Sequence, residues 1–285
     1  MGSAAAFESV RHRLFGLAYR MLGSRADAED IVQEAYVRWH QAADTVRNPE
    51  AWLVTTATRL AIDRLRALKA EREAYTGPWL PEPLIGTEPP PDREAELASD
   101  LSVAFMVLLE RLAPEERAAF LLHDVFDCGY GEIARLLGKS EAASRQIVHR
   151  ARGRVRGDQS RFEVSEAARV RLLKTFVAAM EARDEQALLQ LFAPDATWTA
   201  DGGGKAAAGP HPIEGADAIL KLLLGLQRRF SREGVTLHLG TVNGETGLLV
   251  RLGGRVAAAI SMVIDGDRIA RAYAIVNPDK LPATM

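Results

Sequence analysis

The apolar periodicity of this chain changes at about residue 162, and that change limits the folds open to it. Before it, apolar residues recur at threes and fours, as in Phe7, Val10, Leu14, Leu17, Ala18 and Met21, a stripe that Gly23-Ser24 closes. After it, strand-like runs take over at 235–242, 247–252, 255–264 and 268–276. Between them stand Asn243-Gly244, Gly253-Gly254 and Asp265-Gly266, dipeptides that tight hairpins need because their backbones take positive φ. Helical patterns at 170–180, 187–192 and 216–230 accompany these runs. The expectation is an all-α portion followed by an α+β domain, with helices on one face of a curved antiparallel sheet.

Within the helical portion, residues 130–156 carry the clearest chemistry. Tyr130 to Leu137 places Ile133, Leu136 and Leu137 on one side, Gly138-Lys139 breaks the helix, and Ser140 is placed to cap the next one, with Glu141 at the positive end of its dipole. On that second helix Ala143, Ile147, Ala151 and Val155 face inward, while Arg145, His149, Arg152 and Arg156 form an outer stripe, with Ser144 beside them as a further candidate contact. This is the pattern of a helix-turn-helix with a basic recognition face. Arginine on such a helix bonds phosphates or makes paired bonds to guanine in the major groove. The bland alternative is a solvated, arginine-rich helix, and the turn and the inward stripe favour DNA.

The chain's 285 residues are enough for two or three domains, and 47% hydrophobic with 26% charged residues is a globular composition. A formal net charge of −2 excludes a generally basic DNA-coating protein. Positive charge is local, so weak DNA binding by the free chain and a need for a partner are expected. Cys128 is the one cysteine, so no intrachain disulfide forms, a reducing compartment is expected, and the thiol reads as a small buried group. The first residues have no secretory pattern, Ala6 stands where a myristoylation signal has Ser or Thr, and no apolar run has membrane length. These features predict a cytoplasmic protein with no membrane partner. The histidines show no metal-ligand spacing, and neither a metal nor another cofactor is expected.

Residues 27–39 read as a helix with Ile31, Ala35 and Trp39 inward and Asp30, Gln33 and Glu34 outside. Arg47-Asn48-Pro49 leads into a third helix over 50–68, proline being suited to its first turn. That helix carries Trp52 and Arg59, and then Arg64, Arg66 and Lys69. Two readings of Trp52 are open, base stacking and core packing. From 76 to 100 the chain turns acidic and proline-rich, which marks a linker, yet Trp79 and Leu80, followed by Pro81, call for a docking surface. Helix is expected to resume over 97–112 and again at Pro114.

The run 27–39, Arg47-Asn-Pro-Glu-Ala-Trp-Leu53, Arg59-Leu-Ala-Ile-Asp63 and the helix-turn-helix ending His149-Arg-Ala-Arg152 resemble the extracytoplasmic-function sigma factors of bacteria. The resemblance implies two all-α sigma domains, 1–75 for core RNA polymerase and the minus-ten element and 101–160 for the minus-thirty-five element, joined by the linker 76–100. It assigns Asp30, Gln33 and Glu34 to polymerase docking, and Arg47 and Asn48 to an unstacked minus-ten base. Trp52 and Arg59 join that DNA set, and Ser144, Arg145, His149 and Arg152 form the upstream set. Ile147, where many members carry a basic or polar residue, reads here as core.

Residues 161–285 resemble the SnoaL-like fold, in which a curved sheet wraps a cone-shaped cavity and which enzymes and non-enzymes share. Trp79-Leu80-Pro81, Asp201-Gly202-Gly203-Gly204-Lys205 and Asn277-Pro-Asp279-Lys280-Leu281 are similar to signatures of the sigma-factor group that carries this domain in place of a separate anti-sigma protein. The resemblance implies that these residues make a regulatory interdomain contact. The glycine run lacks the phosphate-loop spacing, and a catalytic reading would use Asp201 or His238 as a general base. Three functions are therefore on the table. The leading one is a polymerase-directing sigma factor that is not an enzyme. The others are a helix-turn-helix regulator that does not join polymerase, and an enzyme or sensor of a small ligand in the C-terminal cavity.

Overall fold

The computed structural model describes residues 3–43, 46–86, 101–159, 164–230 and 234–282. The chain divides into two compact units, Met1–Glu73 with Met106–Asp158, and Ala74–Phe105 with Gln159–Met285. The two helical segments expected as separate domains thus share one unit, and the first residues of the expected linker belong to the other. The acidic and proline-rich stretch 87–100, with the helix start expected at 97, lies outside the described residues.

The first unit holds α1 (Ser3–Glu8), α2 (Arg11–Leu22), α3 (Arg25–Ala42), α4 (Pro49–Glu73), most of α5 (Val103–Leu109), α6 (Pro114–Asp124), α7 (Tyr130–Leu137) and α8 (Glu141–Gln159). Gly23, at φ 66°, ends α2, and its amide bonds the Tyr19 carbonyl at 2.7 Å. Ser24 then caps α3 by accepting from the Asp27 amide at 3.2 Å. Leu14, Leu17, Ala18, Ile31, Ala35, Trp39, Leu53, Ala57, Ala61 and Leu65 are buried, the periodicity of three helices turning their apolar stripes toward a common core.

The last carbonyls of α2 have no partners within their own helix, and arginines supply them. Arg117 of α6, 2% exposed, donates through Nη1 to the Met21 carbonyl at 2.6 Å and to Glu110 at 2.7 Å, and Arg72 of α4 bonds the Leu22 carbonyl and pairs with the same glutamate. This Arg–Glu–Arg cluster joins the earlier and later helical segments. Burial lowers the pKa of Arg72, although Glu110 opposes the shift.

The second unit contains α9 (Glu166–Ala182), α10 (Glu185–Leu191), β1 (Phe192–Asp201), β2 (Ile213–Glu214), α11 (Ala216–Phe230), β3 (Thr236–Val242), β4 (Glu245–Leu252), β5 (Arg255–Asp265) and β6 (Arg268–Ile275). The strands form one sheet in the order β2-β1-β6-β5-β4-β3. β3 to β6 are the expected antiparallel meander, but β1 joins β6 in parallel, so the sheet is mixed. Asn243-Gly244, with φ of 53° and 83°, and Gly253-Gly254, with 56° and 82°, make the first two hairpin turns as expected. The third turn is displaced by one residue: Asp265 pairs with Arg268, leaving Gly266-Asp267 as the loop. Phe176, Leu173, Leu188, Ile219 and Leu223 of the helices bury the sheet face that carries Trp198, Ala272, Met262, Ile260 and Leu248. The alternate residues Ala259, Ser261, Val263, Tyr273 and Ile275 are buried too, so β5 is covered on both faces along most of its length.

Candidate nucleic-acid interface and linker clamp

In the helix-turn-helix, Gly138 at φ 64° closes α7 and Ser140 caps α8, its hydroxyl accepting from the Ala143 amide at 3.2 Å. Ser144, Ile147, Val148, Ala151 and Val155 form the buried face of α8. Ser144 is fully buried and donates to the Ser140 carbonyl at 3.1 Å, so it is not positioned to touch DNA, which corrects its place among the candidate contacts. The short polar residue sits on the inner face because its hydroxyl finds a backbone acceptor one turn back.

Arg145 and His149 are exposed, while Arg152 is half-buried and holds Asp124 with Nε 2.8 and 3.0 Å from its two oxygens. Arg145 lies over the Tyr130 ring, 4.9 Å from its centroid, and pairs with Glu141 at 3.3 Å. The side chain of Arg156 lies outside the description. Sequence reasoning passed over Gln146 and Arg150, which are also exposed on α8. Gln146 stands three residues before His149 and four before Arg150, the spacings that share a helix face and could have found them.

Asp30, Gln33 and Glu34 are exposed along one side of α3, where Val37 is also 45% exposed. Glu34 carries an ion pair with Arg38 at 2.8 Å. Arg47 and Asn48 are exposed before α4, with the Asn48 side-chain oxygen capping that helix by accepting from Ala51 at 3.1 Å. Arg59 is exposed, whereas Trp52 is half-buried with its ring centroid 5.8 Å from that of Trp39. Between the two readings of Trp52, this contact favours packing.

In the second unit the structure brings most of the third residue set together around one carboxylate. Asp201, at the end of β1, is fully buried. It accepts hydrogen bonds from the Tyr75 hydroxyl at 2.6 Å, the Leu80 amide at 2.8 Å and Lys280 Nζ at 2.7 Å. Lys280 also donates to the Leu80 carbonyl at 2.6 Å and lies 4.2 Å from the Trp79 ring centroid and 4.9 Å from that of Tyr75. The ammonium and carboxylate are thus paired and bonded further, the condition under which buried ions are tolerated. Asn277 donates to the Tyr75 oxygen at 2.8 Å and accepts from the Asp279 amide at 3.0 Å, and Lys205 pairs with Asp279. Burial, and then the Asp201 carboxylate, hold the pKa of Tyr75 above its ordinary value, so the hydroxyl remains a donor.

The glycine loop fits this arrangement through close approach. Where a Cβ on Gly203, at φ 57°, would stand, the Asn277 side chain is nearest and the Tyr75 hydroxyl follows at 2.9 Å, and Gly204, at φ 71°, has Thr76 at 3.3 Å. Gly202 is crowded by its own loop, with the Ala208 side chain at 2.9 Å. Leu80 is 2% exposed, Pro81 is buried and Trp79 is half-buried.

A second anchor was not foreseen. Asn243, fully buried in the β3–β4 turn, accepts from the Leu84 amide at 2.9 Å and donates to the Leu101 carbonyl at 2.8 Å. Its own amide bonds the Leu84 carbonyl at 2.9 Å, and Ile85 bridges Val242. The sequence marks Asn243 as a turn residue only. The segment 75–86 is therefore held at the end of β1 and again beyond β3, and the contact expected between domains lies inside one unit. His238 is exposed on β3 and bonds Thr236 Oγ1 at 2.8 Å, while Asp201 is occupied by three donors. Among the described residues no cluster suits a metal ion, and no helix is long and apolar enough to cross a membrane.

Family models described as Sigma-70 region 2, Sigma-70, region 4 and SnoaL-like domain match residues 6–71, 102–155 and 173–274. The ECF RNA polymerase sigma factor SigJ of Mycobacterium tuberculosis is 38% identical over 286 residues, spanning 96% of this chain and 91% of that protein. The probable ECF RNA polymerase sigma factor SigI of the same species is 28% identical over 282 residues, spanning 98% and 94%. The crystal structure of the extracytoplasmic function sigma factor SigJ superposes with a TM-score of 0.79 at 36% identity, covering 97% of each chain.

Proposed function

The chain belongs to the extracytoplasmic-function RNA polymerase sigma factors, and from that membership we propose how its two units share the work. It is an alternative sigma factor with a SnoaL-like domain. In our reading its partners are core RNA polymerase and promoter DNA. The exposed side of α3 with Asp30, Gln33 and Glu34 docks on the polymerase. Arg47, Asn48 and Arg59 meet the downstream element, while Arg145 and His149 meet the upstream one. Arg152 serves by fixing α8 against Asp124, and Trp52 by packing on Trp39.

The C-terminal domain acts by holding the segment that follows α4. The observation that carries this is the Asp201 carboxylate, withdrawn from water and bonded to Tyr75, Leu80 and Lys280. A tethered segment samples fewer arrangements than a free one, so fixing it biases the spacing of the two promoter readers and hence initiation. We assign no reaction to this domain. Asp201 is committed to the segment, and among the described residues the exposed His238 has no second catalytic group bonded to it.

The test is complex formation with bacterial core polymerase, followed by transcription in vitro from a promoter library. Promoter-dependent initiation with the full chain is the expected result. A chain that binds promoter duplex but forms no complex with core enzyme would instead be a helix-turn-helix regulator.

A further inference from the structure

We propose that Gln146 is a specificity-determining residue, reading an adenine in the upstream promoter element. The inference rests on α8 being the helix that enters the promoter's major groove.

The buried face of α8 fixes which residues point outward in its first half: Glu141, Ala142, Arg145, Gln146, His149 and Arg150. In helix-turn-helix proteins the N-terminal part of the second helix approaches base edges. Several cations of α8 are already engaged: Arg145 with Glu141 and the Tyr130 ring, Arg152 with Asp124, and Arg154 with Glu116. A guanidinium held in this way sits at a fixed point and suits phosphate or guanine. The Gln146 side chain, by contrast, makes no hydrogen bond among the described residues, so its whole donor and acceptor capacity is available.

A carboxamide offers a donor and an acceptor side by side in one plane. In the major groove adenine alone presents the matching pair, N7 as acceptor and the N6 amino group as donor, whereas guanine shows two acceptors there. The uncharged Gln146 is exposed one turn before His149, where a residue that only strengthened binding would more effectively carry charge.

The experiment uses the full chain with core polymerase on promoters randomised across the upstream element, comparing wild type, Gln146→Ala and Gln146→Glu. Wild type is expected to prefer adenine at one position by about five- to a hundred-fold, the worth of a paired base contact. Gln146→Ala should lose discrimination at that position and keep it elsewhere. Gln146→Glu should move the preference there to cytosine, whose N4 amino group donates to a carboxylate. An unchanged preference in both variants overturns the inference while leaving the sigma-factor reading intact. So does an equal loss on every sequence, which would make Gln146 a phosphate contact or a structural residue. No promoter-dependent transcription by wild type would fail the sigma reading and the inference together.

Discussion

Lys280 Nζ stands 2.7 Å from an oxygen of Asp201, with the lysine side chain 12% exposed and the aspartate fully buried. Two residues that the chain separates by most of a sheet domain meet where the segment after α4 enters, and each also bonds Leu80 of that segment. The pair is consequently a property of the segment as much as of the domain.

Lys280→Met should destabilise the second unit by about 3–5 kcal/mol, because the Asp201 charge would be left buried without its counter-ion. Adding Asp201→Asn should recover part of that loss, since a neutral amide needs no counter-ion. Urea unfolding of the three variants checks this, and single and double variants that unfold at the wild-type midpoint would remove the pair from the account.

Asn243→Gly keeps a residue that accepts the φ of 53° but removes both side-chain bonds, to the Leu84 amide and the Leu101 carbonyl. The expected cost is about 1–3 kcal/mol for each backbone group left without a partner. Faster hydrogen exchange at the Leu84 amide is the local readout. Protection equal to wild type would show that the side chain does not anchor the segment.

Gly203→Ala and Gly253→Ala form a matched pair. Both glycines have φ near 57°, at 57° and 56°, but a Cβ at Gly253 meets nothing within 4 Å, whereas one at Gly203 runs into the Asn277 side chain first and then the Tyr75 hydroxyl at 2.9 Å. Each variant should lose about 1–2 kcal/mol to the left-handed backbone, and Gly203→Ala should lose more. Equal thermal midpoints would mean that the glycine loop does not press on Asn277 and Tyr75.

The raised pKa of Tyr75 makes the clamp alkali-sensitive. A group whose folded pKa lies above its unfolded value stabilises fully below the unfolded value and loses that contribution as pH rises toward the folded one. The Tyr75 contribution should therefore be complete below about pH 10 and shrink above it. Tyr75→Phe should be less stable than wild type at neutral pH, with the difference narrowing above that point. A difference that stayed constant into alkali would contradict the assignment.

Much of the first unit was legible because helical period, caps and turn residues are local signals: Gly23, Ser24, Gly138 and Ser140 sit where those signals place them. Ser144 was misread because its type suggests a surface, although its spacing to Ile147, Val148 and Ala151 puts it on the buried face. β1 was missed because Pro194-Asp195 interrupts its apolar pattern and its pairing with β6 is parallel and remote in sequence. In the clamp, Trp79 and Leu80 announced themselves as apolar residues in a polar linker, but Tyr75 and Asn243 did not. Their partners lie 126 and 159 residues away, and nothing local distinguishes a tyrosine at a helix end or an asparagine in a hairpin turn from one with no such duty.

The most direct test of the central claim, that the C-terminal unit sets initiation by holding the segment after α4, is transcription in vitro with core polymerase. It compares wild type with the chain carrying Asp201→Asn and Lys280→Met together, at matched occupancy of core enzyme. The account predicts that both chains bind core polymerase equally while the variant initiates at a different level from the same promoter. Equal transcription from a variant whose clamp is shown by hydrogen exchange to be open would contradict it.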